Sequence, residues 1–503
     1  MVCYKLSLYL PLNNVNQERS IDSQPCFFLI LINFIIYIIE LMITFISAGM
    51  LSPKKQDSII ARRHIYLNYG AVGLASILKE NNILTKVIHA NFIPPKEFFN
   101  QLKEKGYLNN DSPILLSIIS AYSLEWSQQF CSYLRKEYPS KKIIIGGKWV
   151  VGTDGEWIKK IIPEADLIVY GNAEQRIVNI ISRNNWNDIP YTSLSKDLTP
   201  EPPLLKYPFL DYSLVENYQE YPPIIEVSRG CGRGCNFCEE KNTGLGVPTL
   251  AKEIIDRALF YQEKMYQTNF LKFYLQASFF NPTLQWAEDL KKYYIAAKAN
   301  FLWRSETRVD ISFKVLKNLS QAGLQALDLG FESGSPTQLI NMGKTRKPEV
   351  YLKKASDLVK QCYDLGIWPK MNILLYPGET QQTIDETCEW LDKHIKYIKG
   401  VSVNPLYIYK NKTVYQFLEV IKKLGATPVD IQSIENFGYA NIHLSEEIDF
   451  EKSLEVARNI RNRFMSAKDY FDLKSFSYFP RSYTYDDFIA DVQKCNHKDL
   501  NFQ

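Results

Sequence analysis

From residue 42 onward, short runs of unbroken apolar residues alternate with longer stretches whose apolar positions recur at helical spacing. Met42–Ser47, Thr85–Ala90, Ile114–Ile119, Ile143–Ile145 and Asp166–Tyr170 read as strands. Val72–Lys79, Leu124–Arg135 and Glu156–Ile162 read as helices between them. Strands that are apolar on both faces and joined through helices belong to a parallel sheet covered on two sides. Such sheets bind ligands beyond the carboxyl ends of their strands. The loops at those ends carry Ser120-Ala121-Tyr122-Ser123, Gly146-Gly147 and Gly171-Asn172-Ala173-Glu174. Glycine lets a ligand approach the backbone and serine offers a compact hydroxyl, although tight turns alone also account for the glycines. No G-x-G-x-x-G follows the first strand, which argues against a dinucleotide.

A stretch dense in Pro and polar residues, Tyr191 to Pro223, separates this part from a second strand–helix series. Its strands are Ile224–Val227, Leu271–Leu275, Phe301–Arg304, Ala326–Phe331, Lys370–Leu375 and Val401–Leu406. Leu250–Gln262, Pro282–Ala297, Phe313–Gln321, Val350–Tyr363 and Ile384–Ile395 read as the helices between them. Asn281-Pro282 and Ser335-Pro336 each place a capping side chain before a first-turn proline. Ile384, Cys388, Leu391 and Ile395 share one helix face, which makes Cys388 a core residue. Past Tyr407 the chain becomes rich in Tyr and Phe, with Arg481 among them. These aromatics suit a small packed cap better than a stacking surface for nucleic acid.

Composition narrows the function. The 503 residues are 46% apolar and 23% charged, so the chain is neither disordered nor fibrous. Lys and Arg exceed Asp and Glu by only 59 to 55, which argues against a dedicated nucleic-acid binder. The apolar N-terminus is interrupted by Glu40, leaving a charge-free run of 14 residues, Cys26–Ile39. That length is marginal for a membrane span or a signal core. It reads better as a dispensable extension, with Met42 as an alternative start.

Nine cysteines are too few for a disulfide scaffold, yet three of them, Cys231, Cys235 and Cys238, fall within eight residues. The spacing is C-x3-C-x2-C, interleaved with Gly230, Gly232 and Gly234 that let the backbone wrap. A closed zinc site takes four ligands, and no fourth Cys or His follows at zinc-finger distance. A [4Fe–4S] cluster held by three thiolates keeps one iron open to an outside ligand.

This motif, with Phe237 before the last cysteine, is the signature of the radical S-adenosylmethionine (SAM) superfamily, which the chain resembles over about residues 222–410. ETRVD (Glu306–Asp310), AGLQALDLGFESGSPTQLINMGK (Ala322–Lys344) and LLYPGET (Leu374–Thr380) extend the resemblance. The N-terminal order SIISAYS, helix, YPSKKIIIGGKWVVG, EADLIVYGNAEQ is similar to the cobalamin-binding domain that precedes many radical SAM enzymes. The resemblance implies an α/β chain with an N-terminal Rossmann-like cobalamin-binding domain at 42–190 and a Pro-rich linker at 191–222. A partial (β/α)6 TIM-like radical SAM barrel at 223–410 follows, then a C-terminal cap at 411–503 closing the barrel mouth; residues 1–41 are the extension.

It further implies that Cys231, Cys235 and Cys238 ligate a [4Fe–4S] cluster. Phe237, Gln276, Arg308, Glu332, Ser333 and Asn372 would contact SAM. Ser120, Ser123, Gly146, Gly147, Gly171 and Glu174 would contact cobalamin. Two departures stand out. Gln276-Ala277-Ser278 replaces the usual acidic pair after the second core strand, and the D-x-H-x-x-G signature is absent around both His64 and His89. The implied reaction cleaves SAM to a 5′-deoxyadenosyl radical and transfers a methyl group from methylcobalamin to an unactivated carbon. Two rivals are a cobalamin-associated cyclisation or rearrangement without methyl transfer, and a non-catalytic corrin-binding sensor. A methylthio transferase would need further N-terminal cluster cysteines. The implied partners are a small-molecule or peptide substrate and a reductase, flavodoxin or ferredoxin electron donor, in the cytoplasm. Neither nucleic acid nor membrane contact is expected.

Overall fold

A computed structural model describes residues 42–53, 57–153, 155–169, 171–182, 207–241, 243–411, 413–496 and 500–502. The Cys26–Ile39 run and residues 191–206 of the Pro-rich segment lie outside them. Five parallel strands, β1 (Ile43–Ser47), β2 (Thr85–His89), β3 (Ile114–Ser117), β4 (Ile143–Gly146) and β5 (Leu167–Ile168), stand in the order β2-β1-β3-β4-β5. Every residue of β1 and β3 is buried. Ile43 and Phe45 pack with Val72 and Leu78 of the helix Tyr69–Glu80 on one face. Ile46 packs with Phe98 and Phe130 on the other. This is the doubly covered sheet that unbroken apolar runs require.

The helix Pro95–Glu104 is absent from the sequence reading. Pro94-Pro95 looks like a breaker, but Pro95 occupies the first turn, where its missing N–H costs nothing.

Residues 207–223 are built into the fold. Val215 bridges in parallel to Val87. The Tyr212 hydroxyl accepts the Ile224 N–H at 2.7 Å and donates to the Ile224 carbonyl at 2.6 Å. Leu210, Tyr212 and Val215 join the inner face of the first sheet to the core of the second.

The second sheet runs β6 (Ile224–Ser228), β7 (Leu271–Ala277), β8 (Phe301–Thr307), β9 (Leu324–Glu332), β10 (Trp368–Leu375) and β11 (Gly400–Pro405). All neighbours are parallel and in sequence order, with no pairing between β6 and β11, so the barrel is partial. Its strands alternate. In β10, Met371, Ile373 and Leu375 are buried in the apolar core, while Lys370, Asn372 and Leu374 between them keep some exposed surface.

One of the two expected caps changes. The helix after β7 starts at Leu284 and is capped by Thr283, which accepts the Trp286 N–H at 3.2 Å; Asn281 and Pro282 precede the cap. Thr283 wins because its hydroxyl stands three residues before the first free N–H it can reach. Ser335 does cap its helix, accepting from Gln338 N–H.

The C-terminal region divides in two. Tyr439–Ala440 pairs with Ile408–Tyr409 near the carboxyl ends of the barrel strands, and the Tyr122 and Tyr439 rings meet at a tilt, 4.7 Å between centres. The aromatic segment after Met465 lies at the opposite end. Lys399, just before β11, pairs with Asp469 at 2.6 Å and Asp472 at 3.0 Å. Lys272 of β7 donates to Ser475 at 3.4 Å, and Trp368 at the start of β10 meets Phe476 edge-on at 6.2 Å. This segment therefore closes the floor, and it also reaches the loop after β1, where Ile65 N–H donates to the Tyr478 carbonyl at 2.8 Å. Among the described residues no helix is long and apolar enough to cross a membrane.

Candidate functional site

The chain leaves β6 at Ser228 and folds back on residues 243–246. Gly246 N–H donates to Arg229 O at 2.8 Å and Gly232 N–H to Thr243 O at 2.8 Å. Gly230 has φ of 76°, and a Cβ there would lie 1.9 Å from the Gly244 carbonyl oxygen, so only glycine fits. This loop presents Cys231, Cys235 and Cys238, of which Cys235 is buried. Burial pushes the Cys238 thiol up to about 11, with the Cys235 and Cys231 charges adding to it. The side chains as placed form no ligand triangle: among the described residues no three His, Cys, Asp or Glu are arranged to hold a metal ion. The donor chemistry and the glycine-built loop are what fit a cluster.

Around Cys235 the structure gathers three of the six residues expected at SAM. Arg308 donates to Cys235 Sγ at 3.5 Å and to the Lys344 carbonyl at 3.0 Å. Lys344 Nζ bonds Glu332 Oε1 at 2.9 Å and lies 6.0 Å from the Phe237 ring centre. Glu332 has φ of 72° beside a register shift between β9 and β10. A non-glycine residue in the left-handed region beside a bulge is re-aimed at some cost, which is a mark of a functional position.

The other three stand apart from Cys235 in their hydrogen bonding, although Asn372 is in register with Gly330, two residues before Glu332. Ser333 shares a hydrogen bond with Thr387 Oγ1 at 3.1 Å and accepts the Ser335 N–H at 3.0 Å, so its hydroxyl is spent on helix packing. Asn372 accepts from Lys370 Nζ at 3.0 Å. Gln276 stands in register with Glu226 on β6.

Below this group the barrel interior is charged. Arg304 grips both oxygens of Asp328 at 2.7 Å, and Lys370 stands 3.1 Å from the same carboxylate. Against the cost of burial, Arg304 and then Lys370 hold the Asp328 carboxyl below the usual carboxylate range. Glu306, one turn of the pleat nearer the mouth, makes no ion pair among the described residues; burial and then the Asp328 charge push it up to about 7.

The N-terminal sheet turns its ligand edge toward this mouth. Arg229 spans the two parts, pairing with Glu226 at 2.6 Å and Glu174 at 2.6 Å. Lys148 reaches Glu240 of the cysteine loop at 3.2 Å. Between the ends of β1 and β3, where the strand order reverses, Ser47, Ala48, Met50, Asn91, Ser120 and Ser123 line a cavity. The Ser123 hydroxyl is buried there without a hydrogen-bond partner among the described residues.

Of the residues expected at cobalamin, Ser120 and Ser123 border the cavity. Gly146, Gly147, Gly171 and Glu174 stand at the ends of β4 and β5, beside it. Gly147 is held at φ of 114°, where a Cβ would meet the Ile118 carbonyl oxygen at 2.4 Å, so close packing alone demands glycine. Of the neighbouring histidines, His89 Nε2 accepts the Asn68 N–H at 2.9 Å while its buried Nδ1 has no hydrogen-bond partner among the described residues, and His64 Nε2 shares a hydrogen bond with the Tyr470 hydroxyl.

Arg229, Lys344, Asp328 and Lys370 are absent from the sequence-based site. For the last two a signal existed, since a charge inside an otherwise apolar strand must face something other than the core.

Residues 225–391 match the model of the radical SAM superfamily. The fold is similar to the radical S-adenosylmethionine methyltransferase TsrM from Kitasatospora setae, solved with tryptophan substrate and a SAM analogue. That likeness has a TM-score of 0.58 at 15% identity, over 77% of this chain and 78% of that one. It is also similar to the cobalamin-dependent S-adenosylmethionine radical enzyme OxsB, solved with aqua-cobalamin and SAM, at a TM-score of 0.57 and 14% identity over 88% of this chain and 68% of that one. At these identities the likeness is one of fold. No curated protein matches in sequence. With the C-x3-C-x2-C loop at the carboxyl end of the first strand of a six-stranded partial barrel, the chain carries a radical SAM domain over residues 225–391.

Proposed function

We propose that this chain is a cobalamin-dependent radical SAM enzyme that transfers a methyl group to an unactivated carbon of a small-molecule or peptide substrate. The observation that carries the reading is the pairing of Arg229 with Glu174 and of Lys148 with Glu240. These contacts set the cysteine loop against the ligand edge of the N-terminal sheet, over a polar barrel interior.

The residues present fit the groups this chemistry uses. Three thiols without a fourth donor on their loop suit a [4Fe–4S] cluster with one open iron. Phe237, Arg308, Glu332 and Lys344 cluster beside Cys235, where SAM would chelate that iron. The loops at the β1/β3 reversal, with the unpartnered Ser123 hydroxyl, are where a corrin would be held. When bound, the cluster and SAM supply one-electron radical chemistry, fed by a flavodoxin, ferredoxin or reductase, and the corrin supplies the methyl group.

The chain's own part is orientation and exclusion of water. Arg308 places a positive charge on the Cys235 sulfur. Lys344 fixes the Glu332 carboxylate toward the mouth. His89 Nε2 holds the Asn68 backbone N–H and so fixes the start of the helix beside the cavity. The aromatic floor seals the far end of the barrel.

Anaerobic reconstitution followed by turnover with SAM carrying an isotopically labelled methyl group tests the reading. Iron–sulfur absorbance, retained corrin and label in the product are expected. Product without label points to rearrangement; retained corrin without SAM cleavage points to a sensor. Absence of corrin would remove the cobalamin part.

A further inference from the structure

Residues 64–68, between the helices Ile59–Arg62 and Tyr69–Glu80, form no helix or strand, so their course is set by what holds them from outside. Much of that support comes from the C-terminal segment after Met465. Arg63 pairs with Asp491 at 2.8 Å, and His64 Nε2 shares a hydrogen bond with the Tyr470 hydroxyl at 3.2 Å. Ile65 N–H donates to the Tyr478 carbonyl at 2.8 Å, and the Tyr66 and Tyr478 rings meet edge-on, 5.8 Å between centres. Four successive residues of the N-terminal part are thus gripped by a segment that also packs under the barrel.

Tyr66 carries that grip into the cavity at the β1/β3 reversal. Of the described residues that line the cavity, Tyr66 supplies the one aromatic ring, beside the hydroxyls of Ser47, Ser120 and Ser123. A second wall residue, Asn91, is also held from the barrel part: it donates to the Tyr221 hydroxyl at 3.1 Å, just before β6. The serines stand on the first sheet's own elements, whereas Tyr66 and Asn91 are braced by residues beyond 207. The barrel part therefore finishes this cavity.

We propose that Tyr66 packs against bound corrin and that the C-terminal segment positions it there, with Tyr478 acting through Tyr66 and not on the ligand itself. A rigid ring offers a flat macrocycle a broad apolar contact. The inference rests on the cobalamin part of the reading above, and it gives the aromatic tail a second task besides closing the floor.

Equilibrium titration of the full-length protein with hydroxocobalamin, followed by absorbance, tests it. Tyr66→Ala is expected to weaken corrin binding about tenfold, and Tyr66→Phe to stay within about twofold of wild type. Tyr478→Leu keeps the floor filled but removes the ring that meets Tyr66, and it should weaken binding about threefold. The double variant should lose about tenfold and not the product of about thirtyfold, because both changes act through one contact. Undiminished binding in Tyr66→Ala, an equal loss in Tyr66→Phe, or losses that multiply in the double variant overturns the proposal and leaves the corrin reading standing. Wild-type protein that takes up no hydroxocobalamin overturns both. Iron content and thermal midpoints, measured on the same samples, show that each variant is folded.

Discussion

The two parallel sheets are built from the same strand–helix unit and use it in opposite ways. In the N-terminal sheet β1 and β3 are buried along their whole length, so both faces belong to packing and chemistry is confined to the strand ends. In the barrel every second residue of β10 turns away from the helices, and Arg304, Glu306, Asp328 and Lys370 line an interior. An open sheet covered twice offers a ligand its edge; a curved sheet covered once offers a chamber. The contacts of Arg229 and Lys148 set the edge of the first over the mouth of the second.

The largest expected effect separates the chamber from the edge. Cys235→Ala should reduce iron–sulfur absorbance and 5′-deoxyadenosine formation to background, while corrin retention persists. Next, Asp328→Ala leaves Arg304 and Lys370 buried without their carboxylate, and it should destabilise the barrel by about 3–5 kcal/mol in urea unfolding.

The pH dependence follows from Glu306. Its folded pKa of about 7 exceeds the unfolded value of 4.5, so the folded chain holds the extra proton across that window. Stability should fall as pH rises from 4.5 to 7, and Glu306→Gln should flatten part of that slope. Glu379, likewise pushed by burial up to about 7, supplies a further part.

In the other sheet, Gly147→Ala should cost about 2 kcal/mol through its left-handed backbone and the Ile118 carbonyl, without changing cluster absorbance. The smallest effect is expected at Ser123. Ser123→Ala removes an unpaired buried hydroxyl and should stabilise the corrin-free protein by about 1 kcal/mol, while weakening corrin retention.

Strand positions were legible because apolar runs flanked by turn residues leave little choice of state. All eleven strands of the two sheets overlap the stretches read from the sequence. Element ends were less so: Thr283 caps where Asn281 was expected, and the helix Pro95–Glu104 is absent from the sequence reading. Of the site, the cysteine motif and the cluster of Phe237, Arg308 and Glu332 were visible as local patterns. The hydrogen bond that Ser333 shares with Thr387, 54 residues on, has no local pattern to announce it.

The sequence alone determined the succession of β/α units, the spacing of three thiols and the glycines without which their loop cannot close. Each of these depends on residues close together in the chain, so periodicity and motif suffice to read it. Tertiary structure decided that the aromatic tail seals the floor, that Arg229 joins two loops 55 residues apart at Glu174, and that Lys370 comes to stand 3.1 Å from Asp328. Those pairings arise from the curvature of an unclosed sheet and the burial of charge within it, and no local pattern encodes them.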